Sequence, residues 1–215
     1  MGKRGQMAMW MLTKFAMLFF IFALFSIILV FEQRERGNVC KLQAQRIADS
    51  IANRLNQIID SPVEDEQRSY VFEPSLNVGR DDDARYGVNV TYRHYKDDNK
   101  QSLIVEVLSP GISDCYGVAR TDFKGKDVRL HSFVRNNIIV DKAAYNETIL
   151  PLSPSDKVPL DKTVYMIAIK CGSKTSYPPD KFLFIEDCMH NDPDQCLNFD
   201  TPPVNEEETC GFRPS

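Results

Sequence analysis

The chain has 215 residues and a formal net charge of −4 at pH 7, with 30 acidic against 26 basic residues. The first 31 residues contain no acid, so the acidic excess lies in residues 32–215, which hold 23 basic and 30 acidic residues. This balance argues against a nucleic-acid partner, because binding to phosphates requires a basic surface. Residues 32–215 are enough for one sizeable domain or two small ones.

An apolar stretch at residues 7–31 begins the chain after a short leader. It contains no glycine, proline or acid, and Lys14 is its single charged residue. As a helix it would be about 37 Å long, more than the roughly 30 Å hydrocarbon core of a bilayer. The stretch therefore predicts a membrane-spanning helix. It exceeds the roughly 7–15 apolar residues of a secretory signal, and no small-residue cleavage site follows it, so the simplest interpretation is an uncleaved signal anchor.

The leader itself, Lys3-Arg4-Gly5-Gln6, suggests a more specific interpretation. A short basic segment ending in glycine, directly ahead of a long apolar helix, resembles the class III signal peptide of archaeal type IV pilins and pilin-like proteins. The resemblance implies that a prepilin peptidase cleaves between Gly5 and Gln6 on the cytoplasmic side. It also implies that the helix is kept and that the protein is a structural subunit of a surface filament. Because glycine disfavours helix, we expect the Gly5–Gln6 bond to be extended and accessible.

The resemblance leaves several roles open. Many members of the family carry an acid where this chain has Trp10, which favours a minor or initiating subunit, or a relative that does not polymerise. The filament interpretation implies three partners: the membrane, a prepilin peptidase, and other pilin-like subunits in a homo- or hetero-oligomer. The alternative is an uncleaved single-pass anchor that presents a β-rich binding domain outside the cell.

The polar residues after the apolar stretch continue a helical pattern. From residue 32 to residue 60 the one helix breaker is Gly37, and Ser61-Pro62 ends the segment. Apolar residues recur every three or four positions, the spacing of one helix face. This predicts either one long helix over residues 6–60 or a membrane helix with a break at Gly37. The side chains expected to dock the helix on the outer domain are Ile47, Ile51, Leu55 and Ile58.

Residues 61–215 read as a β-rich domain. Strands are predicted at residues 70–73, 86–95 and 101–108, the last two joined as a hairpin around a polar turn. Residues 77–85 are predicted as a charged turn and 151–159 as a proline-rich loop, with further strand-like segments at 127–140, 164–171 and 181–186. Residues 187–215 are predicted as an irregular, disulfide-tied tail. The fold class is α+β, a long N-terminal helix packed on an antiparallel sheet of roughly five to seven strands. Residues 112–215 either extend that sheet or form a second lobe.

All six cysteines follow the apolar stretch, which indicates disulfides and an oxidising compartment. Six cysteines allow fifteen pairings, and the sequence does not choose among them. Two sequons, at Asn89 and Asn146, lie in the same region and are candidate glycosylation sites. With Lys3 and Arg4 ahead of the helix, they favour a cytoplasmic N-terminus and an extracellular domain. The disulfide candidates are Cys40, Cys115, Cys171, Cys188, Cys196 and Cys210.

No pattern in the chain indicates catalysis. There is no glycine-rich phosphate loop and no Gly-x-Ser-x-Gly elbow. Cys188, His190 and Cys196 have a faint resemblance to zinc ligands, but their spacing matches no zinc signature and a disulfide is the favoured reading. His94 and His131 are expected to be surface or packing residues, and the acidic turns at 81–83 and 192–194 to be solvated. We therefore expect neither an enzyme nor a cofactor.

Overall fold

The computed structural model describes residues 3–62, 66–78, 83–96, 100–112, 114–124, 128–131, 138–152, 164–172 and 181–189. These residues form one helix and eleven strands. The elements are α1 (Lys3–Asp60), β1 (Glu66–Val71), β2 (Leu76–Asn77), β3 (Asp83–Ala84), β4 (Gly87–Tyr95), β5 (Lys100–Leu108), β6 (Tyr116–Lys124), β7 (Val128–His131), β8 (Ile138–Asp141), β9 (Tyr145–Leu152), β10 (Val164–Gly172) and β11 (Lys181–Met189).

The strands form two main sheets. The five-stranded sheet has the order β6-β5-β4-β9-β8, and every neighbouring pair in it is antiparallel. The four-stranded sheet has the order β1-β10-β11-β7, in which β7 runs parallel to β11. The fold is therefore α+β, with the helix packed on an antiparallel sheet, as predicted. Residues 112–215 contribute to both sheets, because β6, β8 and β9 extend the first sheet, whereas β7, β10 and β11 form the second sheet with β1.

The helix is continuous through Gly37, so the prediction of a break there is wrong and that of one long helix is confirmed. A single glycine weakens a helix by about 1 kcal/mol, which the packing of the following turns outweighs. The expectation of an extended Gly5–Gln6 bond is wrong, because α1 already begins at Lys3. Lys3, Arg4 and Gln6 are good helix formers, and lengthening an existing helix adds a hydrogen bond for each residue fixed.

The second half of α1 supplies the centre of the hydrophobic core. The predicted docking residues are at most 3% exposed, and they pack with buried residues of both main sheets. Each buried Leu or Ile side chain contributes about 1.5–3 kcal/mol, so packing rather than intrinsic propensity holds this half of the helix. The buried stripe consists of Cys40, Ala44, Ile47, Ala48, Ile51, Ala52, Leu55, Ile58 and Ile59.

A buried lysine joins the end of the helix to the four-stranded sheet. Lys170 on β10 is fully buried, and its Nζ donates a hydrogen bond to the carbonyl oxygen of Ser61 at 2.7 Å. Glu66 on β1 is the register partner of Lys170. A cation at a helix C-terminus interacts favourably with the partial negative charge of its carbonyl groups. Lys170 therefore fixes the direction in which the chain leaves α1.

Several strand predictions need correction. β6 and β9 were not predicted, and β9 runs through Pro151, where a loop was expected. Pro151 lies opposite Asn89 of β4, and the described pairing of β8 with β9 ends at Ile149, so Pro151 lies beyond that ladder. β11 reaches Met189 and so includes residues assigned to the tail. β2 and β3 pair within the predicted charged turn.

Glu147 on β9 is a buried acid whose ionisation is coupled to folding. It is 4% exposed and accepts hydrogen bonds from Arg93 Nε at 2.7 Å and Lys142 Nζ at 2.9 Å. Burial alone would raise the pKa of Glu147, but the hydrogen bonds and charges of Lys142 and Arg93 outweigh it and hold the pKa below the ordinary value of 4.5. Such a group adds stability above its unfolded pKa, and this is lost as pH falls through the folded pKa.

We therefore expect Glu147→Gln to lower the free energy of unfolding at neutral pH, and to flatten its decline as the pH falls below about 4.5. The measurement is denaturant unfolding of the full chain in detergent between about pH 3 and pH 7. Asp141→Asn is the matched control, because the ion pair of Asp141 with Lys96 is exposed and contributes little. Identical pH profiles for Glu147→Gln and the unsubstituted chain would contradict the assignment.

Candidate assembly surface

The first half of α1 carries a large exposed apolar surface. In residues 9–31 the exposed fractions of the large apolar side chains run from 44% at Leu24 to 77% at Met9. Ordinary soluble monomers rarely expose contiguous apolar patches beyond a few hundred Å². Within the described part of the chain, α1 is the one helix long and apolar enough to cross a membrane. We call residues 9–31 the apolar rod.

The hydroxyl groups of the apolar rod are paired within the helix itself. The Thr13 hydroxyl donates to the carbonyl oxygen of Met9, and the Ser26 hydroxyl donates to that of Phe22 at 2.9 Å. Lys14 Nζ lies 5.7 Å from the centroid of the Trp10 ring. A Trp–Lys pair is typical of the level of lipid headgroups, since both side chains combine an apolar body with a polar end. The pair is therefore suited to the level of the headgroups at the N-terminal end of the apolar rod.

A short charged segment separates the apolar rod from the domain. It comprises residues 32–39, about two turns of helix, and ends where Cys40 becomes buried. Arg36 donates to Glu32 at 3.2 Å across one turn, and Glu35 is exposed. We call this segment the collar. Its charges place it in water or headgroups rather than in hydrocarbon.

A covalent and steric clamp holds the helix against the domain directly beyond the collar. Cys40 forms a disulfide with Cys115, which precedes β6, with Cα atoms 5.2 Å apart. The Gln45 side chain pairs with the backbone of Val118 through two hydrogen bonds of 2.8 and 3.1 Å. Gly117 lies so close to α1 that a Cβ added there would be 2.3 Å from backbone atoms of Ala44 and Gln45. These contacts hold α1 against the domain at residues 40–45.

The clamp contains the residues that sequence reasoning missed. Gly117 and Gln45 were not singled out, and β6 was not predicted. The available signal was the alternation along this segment, in which the small residues at 117 and 119 lie between larger ones at 116, 118 and 120. Both are buried, as expected where a strand approaches a helix closely.

The predicted disulfide candidates have different outcomes. Cys40 and Cys115 are bonded to each other. Cys171 on β10 is opposite Phe182, and Cys188 on β11 is opposite Tyr165. Six strand residues, or about 20 Å, separate those two positions, so the register excludes a bond between Cys171 and Cys188. Cys196 and Cys210 lie outside the described residues.

The two sequons differ in accessibility. Asn146 is exposed near the start of β9. Asn89 is half-buried in the central strand β4, and Thr91 of its sequon is 4% exposed. Asn146 is therefore the better candidate acceptor in the folded domain.

The other predicted positions are less informative. Gly5 and Gln6 lie in the first turns of α1. His94 is half-buried on β4, and His131 ends β7. His190 and the residues 81, 82 and 192–194 lie outside the described ranges.

A cleft of about 420 Å³ lies beside the disulfide. Its titratable phenol, Tyr86, donates to the carbonyl oxygen of Glu73 at 2.6 Å, and burial raises its pKa far above the ordinary value. Its hydroxyl group, Ser109, donates to the carbonyl oxygen of Arg85 at 2.8 Å rather than facing a base. The described lining thus offers no nucleophile–base pair. The lining residues are Arg85, Tyr86, Gly87, Leu108, Ser109, Pro110 and Cys115.

Comparison of the chain with family models, with curated proteins and with solved structures gives no match. The features that bear on function are the apolar rod, the collar and the clamp.

Proposed function

We propose that the chain is a pilin-like structural subunit of a type IV pilus-type surface filament. It would be made as a membrane precursor, trimmed by a prepilin peptidase between Gly5 and Gln6, and assembled by packing of the apolar rods. The observation that supports this most is the single uninterrupted helix, Lys3–Asp60, whose first half is exposed and whose second half is the core of the domain.

This architecture suits a rod that passes from lipid into a protein bundle. In the membrane the apolar side chains would contact acyl chains, and in the filament they would contact neighbouring rods. Water exclusion contributes little to that exchange, so van der Waals fit between helices would drive it. Because the clamp fixes the rod to the domain, movement of the helix out of the bilayer would carry the domain with it.

The proposal also gives the chain an orientation. Lys3 and Arg4 would remain in the cytoplasm, following the positive-inside tendency. The Cys40–Cys115 disulfide and the exposed Asn146 would then lie on the oxidising, extracellular side. The role is structural rather than enzymatic, with membrane, peptidase and other subunits as partners.

One observation favours the second candidate, an uncleaved single-pass anchor that displays the domain. The Gly5–Gln6 bond lies within α1, and a peptidase would have to unwind that turn before cutting. An anchor needs no such step.

The mass of the native N-terminus distinguishes the two candidates. We expect the native protein to begin at Gln6, and Gly5→Leu to leave the leader attached, because the bulky side chain would block the cleavage pocket. Gly2→Leu, in the same leader but away from the bond, is the control and should be trimmed normally. The measurement is peptide mass spectrometry of the N-terminal fragment from membranes and sheared surface material. Native protein that retains Lys3 and Arg4 would refute the proposal and leave the anchor.

A further inference from the structure

We propose that in the assembled filament Lys14 of one copy pairs with the collar carboxylate Glu32 of a second copy, with Glu35 beside it. The pairing would fix the axial offset between the two copies at about 27 Å. It rests on the proposed function, since it requires parallel rods in contact.

The need for a partner follows from the position of Lys14. It is the single charge within the apolar rod, and the residues from 3 to 31 contain no acid. In a membrane its ammonium can reach the headgroups beside Trp10. In a bundle of packed rods that water and lipid have left, an ammonium requires an anionic partner from another copy.

The continuity of α1 determines where such a partner lies. Glu32 is 18 residues beyond Lys14, which is five full turns of helix, so the two side chains project from the same face of the rod. Two parallel copies that turn this face toward each other, related by about a half-turn and offset by this distance, bring Lys14 of one opposite Glu32 of the other. Glu35 lies on the same side, about 60° around the helix.

The charges of the collar favour this face. Arg36 is about 40° from the Glu32 direction and already donates to Glu32, so it shares that carboxylate. Arg34 projects from the opposite side, about 160° away. The face that meets Lys14 thus has two carboxylates and one guanidinium, which leaves it a net negative charge.

The offset also agrees with the thickness of the bilayer. A copy that moves outward by about 27 Å carries its Lys14 across nearly the whole hydrocarbon core of roughly 30 Å. Lys14 then leaves the cytoplasmic headgroups and arrives at the height of the collar of a neighbour still in the membrane. The ammonium of Lys14 would therefore meet the collar carboxylates once it has moved across the hydrocarbon core.

Zero-length carbodiimide cross-linking of sheared filaments tests the pairing directly. The reagent forms an amide between a lysine amine and a carboxylate in contact, with loss of water. Filaments assembled from mixed ¹⁴N- and ¹⁵N-labelled protein should yield Lys14–Glu32 or Lys14–Glu35 peptides containing one label from each chain. The Lys96–Asp141 pair, 2.6 Å apart within one copy, is the internal positive control. Filaments that give this control product without a Lys14 product would refute the pairing, and leave lipid or a polar gap as its environment.

Charge reversal gives an independent measurement. We expect Lys14→Glu to reduce filament yield at least tenfold, Lys14→Arg to preserve it, and the double change Lys14→Glu with Glu32→Lys to restore most of it. Formation of the Cys40–Cys115 disulfide, seen as a gel shift on reduction, shows that each variant still folds. Full yield from Lys14→Glu, or no recovery in the double variant, would refute the pairing while the filament proposal stands. Trimmed wild-type protein that forms no filament would instead refute the proposed function.

Discussion

Replacing Gly117 by alanine is expected to lower the free energy of unfolding by about 3–5 kcal/mol, enough to leave much of the protein unfolded. The added Cβ would lie 2.3 Å from the backbone carbon of Ala44 and from the amide nitrogen of Gln45. These are backbone atoms, so no change of rotamer relieves the overlap. Either α1 moves away from β6, which also breaks the two Gln45–Val118 hydrogen bonds, or the strand bends.

Gly111→Ala is the matched control, because a Cβ at Gly111 meets nothing within 4 Å. The measurement is denaturant unfolding of the full chain in detergent, followed by circular dichroism. We expect the control to remain within about 1 kcal/mol of the unsubstituted chain. Equal stability for the two alanine variants would show that the close approach of α1 to β6 is not real.

Removing the Cys40–Cys115 bridge is expected to lower the free energy of unfolding by about 4 kcal/mol. The bridge closes a loop with a sequence separation of 75 residues, and in the chain-entropy model a loop of that length gives roughly this value. Alanine is the appropriate replacement, because both cysteines are buried and a serine hydroxyl would be left without water.

The single and double alanine variants together provide the control. Cys40→Ala and Cys115→Ala each break the same bond, so each alone should cost nearly as much as both together. The measurement is again equilibrium unfolding of the full chain, with free thiols blocked. Additive losses of about 1 kcal/mol from each substitution would mean that the two residues contribute only as separate packing groups.

The helix and its docking face were predictable because they depend on local patterns. Residues 7–31 are apolar on every side, and Ile47, Ile51 and Leu55 recur at helical spacing, so length and periodicity were sufficient. Continuity through Gly37 was left open, because it depends on how strongly the following turns pack. The hairpin of β4 and β5 was also predictable from two alternating segments around a polar turn.

The missed parts depend on contacts between distant residues. β6 presents Gly117 and Ala119 to the helix, and both are buried. The close approach of α1 requires small residues there, but such residues add little to a pattern of apolar side chains. β9 contains Pro151, which argues against a strand until its pairing with Asn89 of β4 is known. The choice of Cys115 for Cys40 among fifteen pairings required the path of the whole chain.

The clamp has a mechanical consequence. A load applied along the first forty residues enters the globular part at Cys40 and passes at once through a covalent bond into β6. Residues 41–60 therefore bear little tension, and the buried stripe of α1 is not pulled out of the core. In the proposed filament, failure under traction would therefore begin at the contacts between copies, and each subunit would remain folded.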